Sequence, residues 1–193
     1  MRVRLLGLMF VAVAGLVTAG CGGANDRAAE STTAGTSAVD FDRAFIDAMV
    51  PHHRAAIAMA KAAKKAGLSQ PELVDIADDI VLTQQDEIDQ MRAWRLRWFN
   101  SSAIEPDGGS ALGLTQQAMG MQHSPDFSTV DDVNQAFATM MIEHHQGAVT
   151  MAKLALDRAQ HSEIKNLADN IIDAQEREIA VMEPHAEGMH HGG

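Results

Sequence analysis

One motif occurs twice in this chain, so its fold must give two copies equivalent surroundings. Met49-Val50-Pro51-His52-His53 leads to Met59-Ala60-Lys61, and 92 positions later (49 to 141) Met141-Ile142-Glu143-His144-His145 leads to Met151-Ala152-Lys153. A second set follows each copy: Gln84, Glu87, Ile88 and Met91 correspond to Gln175, Glu178, Ile179 and Met182. Repeats that only need to fold together mainly preserve apolar stripes. Here the identities are mostly polar or sulfur-bearing, so candidate metal ligands are duplicated with the fold.

The polar members lie on helical stripes. At about 100° per residue, Leu73, Ala77, Ile80, Gln84, Glu87, Ile88 and Met91 share one core-facing arc. Ile164, Leu167, Ile171, Gln175, Glu178, Ile179 and Met182 form the same pattern, as do Met49, His52, His53, Ala56, Met59 and Ala60, and Met141, His144, His145, Ala148, Met151 and Ala152. Four helices follow. The first spans about Asp40 to Ala66, stopped by Gly67 and kinked at Pro51. The second follows Ser69, whose spacing to Glu72 is that of a capping box, and ends near Phe99. The third spans about Thr129 to Ala159, and the fourth follows Ser162 and is ended by Pro184. The chain is thus all-α: a four-helix bundle of two repeated hairpins, residues 40–99 and 129–186, joined by a Gly-, Ser- and Pro-rich loop over 100–128. A turn centred near Leu68 would put His52 and His53 level with Gln84, and Met49 level with Glu87. A turn near Gln160 would put His144 and His145 level with Gln175 and Glu178.

The ends have a different character. Arg2 and Arg4, the apolar run Leu5 to Val17, and Thr18-Ala19-Gly20-Cys21 read as a lipoprotein signal over 1–20 with Cys21 as the lipidated first residue. An ordinary secretory signal cut nearby would instead leave Cys21, the only cysteine, as a free thiol. Residues 21–39 read as a flexible tether and 187–193 as a His-, Met- and Gly-rich tail. The protein is therefore expected outside the cytoplasm, anchored to the outer face of the cell membrane. Its formal charge of -11, which becomes -13 without Arg2 and Arg4, excludes nucleic acid as a partner and suits cations.

Two buried Glu residues at one level need compensation from His, Gln or a cation. A metal-free hydrogen-bonded network is one reading, and it makes the chain a structural or partner-binding bundle. Metal is the other. The candidate ligands are Met49, His52, His53, Met59, Glu87, Met141, His144, His145, Met151 and Glu178, supported by Gln84 and Gln175. Met119, Met121 and His123 in the loop, with His185, Met189, His190 and His191 near the C-terminus, would add weaker, mobile capture ligands. Thioether with imidazole suits copper, as Cu(I) or Cu(II). Zinc prefers a closed Cys, His and carboxylate set, and calcium an oxygen-rich loop; neither is visible. Di-iron bundles use Glu-x-x-His on two helices, whereas Gln84-x-x-Glu87 and Gln175-x-x-Glu178 carry no His, which leaves iron and a di-iron oxidase as the second metal reading. No nucleophile with an activating base, phosphate loop or nucleotide fingerprint is present, and no catalytic residue is assigned.

The doubled Met-x-x-His-His motif, with Met59-Ala60 and Met151-Ala152 downstream, resembles the family known as domain of unknown function 305 over nearly all of Asp40 to His185. The resemblance implies a ferritin-like helical bundle, often exported and lipidated, with copper binding and copper tolerance attributed to some members. It marks the two Met-x-x-His-His segments, with Met59 and Met151, as motif positions.

Overall fold

Periodicity, Ala-rich composition and glycine stops leave this chain little choice but helix. In the computed structural model, which describes residues 38–123 and 126–186, four long helices and one short one form: α1 (Ala38–Ala66), α2 (Pro71–Phe99), α3 (Gly108–Leu112), α4 (Val133–Arg158) and α5 (Ser162–Ala186). Cys21, the leader, most of the tether, and Met189, His190 and His191 of the tail lie outside the described residues. No helix among the described residues is long and apolar enough to cross a membrane.

α1 packs along α2 and α4 along α5, forming the two expected hairpins. α1 and α4 join them through the centre, while α2 and α5 scarcely touch. The stripes are buried as the periodicity requires, except that Glu87, Glu178 and Ile179 are only half-buried. Met49, Met59, Met91, Met141, Met151 and Met182 are all at most 2% exposed and share one core with Phe41, Phe45, Leu73, Ile80 and Phe137.

Several local expectations are corrected. The Ser69–Glu72 capping box does not form: Pro71 opens α2, which moves the N-cap to Gln70, and Gln70 makes no side-chain cap bond. Asn134 serves instead, its Oδ1 accepting from the Ser69 and Gln70 backbone N–H groups at 2.9 Å each. α4 begins at Val133, not near Thr129, because Asp132 accepts the Asn134 and Gln135 N–H groups. α5 runs through Pro184 to Ala186, since the proline falls in the final turn and Gln135 Nε2 donates to the Ala186 carbonyl. α1 continues through Pro51, as expected. The connecting loop contains α3, which packs on α1.

Two buried polar contacts tie the helices together, the first between the hairpins and the second within the first hairpin, from α2 to α1. Asp42, on α1, accepts from the Gln160 and His161 backbone N–H groups at 2.9 Å each and contacts His161 Nδ1 at 2.5 Å. Arg95 donates from Nε and Nη2 to the two oxygens of Asp47 at 3.0 and 3.2 Å, with both side chains at most 4% exposed.

Candidate metal centre

All four histidines of the doubled motif are buried, at 0–1% exposure. Adjacent helical residues point about 100° apart, so each pair divides its work. His52 and His144 meet across the α1–α4 interface with ring centroids 3.7 Å apart. His53 and His145 turn outward to the flanking helices, their centroids 6.3 and 6.4 Å from those of their neighbours. There His53 Nε2 donates to Glu87 Oε2 at 2.7 Å and His145 Nε2 to Glu178 Oε2 at 2.5 Å. The two carboxylates lie at the edge of the core, 23% and 21% exposed.

The pairing of His53 with Glu87 corrects the expected level of Gln84. α1 ends at Ala66 and α2 starts at Pro71, so the turn centres near Leu68 as expected, and the difference lies in which α2 side chain reaches across to α1. Glu87 faces His53, and Gln84 lies one turn nearer the hairpin end. In the second hairpin Glu178 is the partner, within the expected level.

The halves are not equivalent, because only one loop joins them. Its residues Met119 and Gly120 lie directly on α4: a Cβ on Gly147 would stand 2.0 Å from the Met119 carbonyl oxygen, and one on Gly120 2.2 Å from the Glu143 carbonyl oxygen. That close approach lets the Met119 carbonyl accept from His52 Nε2 at 2.8 Å. His144 has no such acceptor. The loop is thus part of the wall, which corrects the expectation of a mobile capture segment: Met119 is 6% exposed, Met121 is half-buried, and His123 is paired with Glu143 at 2.7 Å. His185 is half-buried in the last turn of α5. The loop contact escaped sequence reasoning, although a glycine inside a helical run, which costs about 1 kcal/mol against alanine, signals close approach.

Buried polar atoms normally have partners. Among the described residues, the buried side-chain nitrogens and oxygens that lack one are Nδ1 of His52, His53 and His145, both ring nitrogens of His144, and Oε1 of Gln84 and Gln175. Every one belongs to the duplicated motif. With Nε2–H held by a carboxylate or carbonyl, Nδ1 of His52, His53 and His145 carries a free lone pair. Burial, with the neighbouring His53, pushes the His52 pKa down to about 3, and burial with the neighbouring His52 holds His144 well below its ordinary value. Both are neutral imidazoles at pH 7, the form that binds metal.

Met49 and Met141 precede the pairs by one helical turn on the same stripe, and Met59 and Met151 follow by about two. The described residues contain no ready-made group of three or more His, Cys, Asp or Glu ligands, since the two carboxylates are engaged on opposite outer edges. The side chains buried at the centre are imidazoles and thioethers, with the two carboxylates at the outer edge.

A family model described as "Domain of unknown function (DUF305)" matches residues 17–95 and 42–186. The chain is similar to CopM in its Cu(I)-bound form and in its Ag-bound form obtained by soaking, each at 30% identity and a TM-score of 0.63, covering 77% of this chain and 97% of that one. It is also similar to a DUF305 protein from Streptomyces coelicolor, described as secreted, at 26% identity and a TM-score of 0.64, covering 77% of this chain and 91% of that one. No curated protein matches.

Proposed function

This chain belongs to the DUF305 family, and from that premise we propose that it is an exported, lipid-anchored protein that binds copper through its duplicated His and Met residues. The observation that carries the reading is the set of unpartnered imidazole nitrogens, confined to the repeated motif and set among buried thioethers. The Cu(I)-, Cu(II)- and silver-bound forms of CopM support copper, in either oxidation state, as the cargo.

The chain's own residues supply three conditions for capture. Glu87, Glu178 and the Met119 carbonyl hold Nε2–H, which fixes the tautomer and leaves Nδ1 as donor. A carboxylate on the far nitrogen also raises the basicity of the ring. Burial keeps His52 and His144 uncharged, so no proton has to leave before metal binds. The thioethers of Met49, Met59, Met141 and Met151 add ligands that favour Cu(I) and cannot be lost by disulfide formation. Cys21 would carry the lipid that keeps the domain at the outer face of the membrane.

The metal-free alternative has one observation in its favour, the two His–Glu pairs, which are satisfied without any ion. Metal analysis separates the two. The mature chain would be exposed to Cu(I), Cu(II), Zn(II) and Fe(II) and dialysed, beside a variant with His52, His53, His144 and His145 replaced by Ala. A third form would lack His185, Met189, His190 and His191. Copper held by the wild type and the tail variant but lost from the four-His variant is the expected result. No retained metal, with loss of stability in the four-His variant, would establish a structural network. Metabolic labelling with palmitate, lost on Cys21→Ser, tests the anchor.

A further inference from the structure

We propose that the open groove between α2 and α5 is the docking entrance for the incoming divalent cation, with its own oxygen donors separate from the buried imidazoles and thioethers. This rests on the copper-binding reading and adds how the ion arrives. Because α2 and α5 scarcely touch, they leave a groove of about 680 Å3 down one side of the bundle. Its lining includes Asp79, Glu87, Asp173 and Glu178 against the single guanidinium of Arg177, four negative charges to one positive, or -3.

Acidic residues alone would be an ordinary solvated face. Here Gln84 and Gln175 also line the groove, each 3% exposed, and each has an Oε1, buried beneath the lining, that no donor reaches. Each Gln precedes its Glu by three residues, so carboxamide and carboxylate are neighbours on one face, and the arrangement occurs on both walls. Buried carbonyl-type oxygens beside carboxylates suit a hydrated divalent cation giving up water. Glu87 and Glu178 border the groove on one side and touch His53 and His145 on the other. One side chain therefore separates the carboxylate-lined mouth from the imidazole layer. Asp79 and Asp173, both exposed and without a hydrogen-bond or ion-pair partner for their carboxylates among the described residues, supply the long-range attraction.

The test is kinetic. The mature chain is mixed with Cu(II) at low ionic strength in a stopped-flow instrument, reading quenching of Trp94 and Trp98, its two tryptophans. Asp79→Asn with Asp173→Asn should slow association by roughly three- to tenfold, since a focused field raises such rates by about 10-fold or more. The difference should shrink at about 0.15 M salt, and copper bound per chain should not change. Asp86→Asn with Asp169→Asn, exposed positions outside the groove, alters net charge equally and should leave the rate near that of the wild type. Unchanged rates in the groove variant, or equal slowing in both variants, would overturn the entrance while copper binding stands. A wild type that binds no copper would remove the functional reading and the entrance with it.

Discussion

Replacing Gly147 by alanine sets two physical effects against each other, and the structure decides which wins. In an ordinary helix interior the change stabilises by about 1 kcal/mol, because glycine loses more backbone freedom on folding. At position 147 the new methyl would lie 2.0 Å from the Met119 carbonyl oxygen and 2.1 Å from its carbon. These are backbone atoms, so the loop must retreat by about an ångström or more to reach contact distance. Overpacking of this kind costs about 1–3 kcal/mol. The same carbonyl accepts from His52 Nε2 at 2.8 Å, and its retreat orphans a buried N–H at about 1–3 kcal/mol more. Subtracting the helix gain leaves a net destabilisation of about 1–5 kcal/mol. Urea unfolding followed by helical circular dichroism measures it, with Gly67→Ala as the comparison: there φ is +107 and nothing lies within 4 Å, so only the left-handed backbone penalty of about 1–2 kcal/mol applies. Copper affinity should fall in Gly147→Ala as His52 loses its orienting acceptor, and stay unchanged in Gly67→Ala. A Gly147→Ala protein as stable as the wild type would refute the claim that the loop rests on α4.

Acid should unfold the metal-free bundle. His52 is held near pKa 3 against about 6.5 when unfolded, so its contribution is intact above about pH 6.5 and declines as pH falls toward 3. At pH 5 the loss is about 2 kcal/mol from His52 alone, and His144 acts in the same direction; urea midpoints that stay level from pH 7 to 4.5 would contradict the neutral buried rings. Glu87→Gln should lower copper affinity by about tenfold or more in a competition titration while helicity is kept, because the charge that makes His53 a better donor is gone. Asp47→Ala leaves the Arg95 guanidinium buried and unpaired, so thermal and urea unfolding should report a loss of about 3–5 kcal/mol.

Helices, stripes and the doubled donor set were legible because each depends on spacing along one chain segment. A period near 3.6 with Met, His and Gln at core positions allows one orientation of each helix, and the buried faces of α1, α2, α4 and α5 follow it. Register between helices is not a property of either helix. Whether His53 meets Gln84 or Glu87 depends on how α2 packs along α1, and with the turn still centred near Leu68 it is Glu87 that reaches His53. Helix ends failed for the same reason: Asn134, distant in sequence, bonds the N–H groups that Ser69 and Glu72 were expected to organise.

The sequence by itself determined an all-helical chain of two related hairpins, with imidazole, thioether and carboxylate written into their inner faces. Only the tertiary structure decided what each donor does. It turned His52 and His144 toward each other, gave His53 and His145 a carboxylate each, and left the far nitrogens free. It also broke the symmetry of the repeat, since one loop joins two halves and its carbonyl can reach only one of the two central histidines. The physical reason is that hydrogen bonds and steric contacts act over a few ångströms in space, and neither spacing nor composition fixes which distant atoms come within that range.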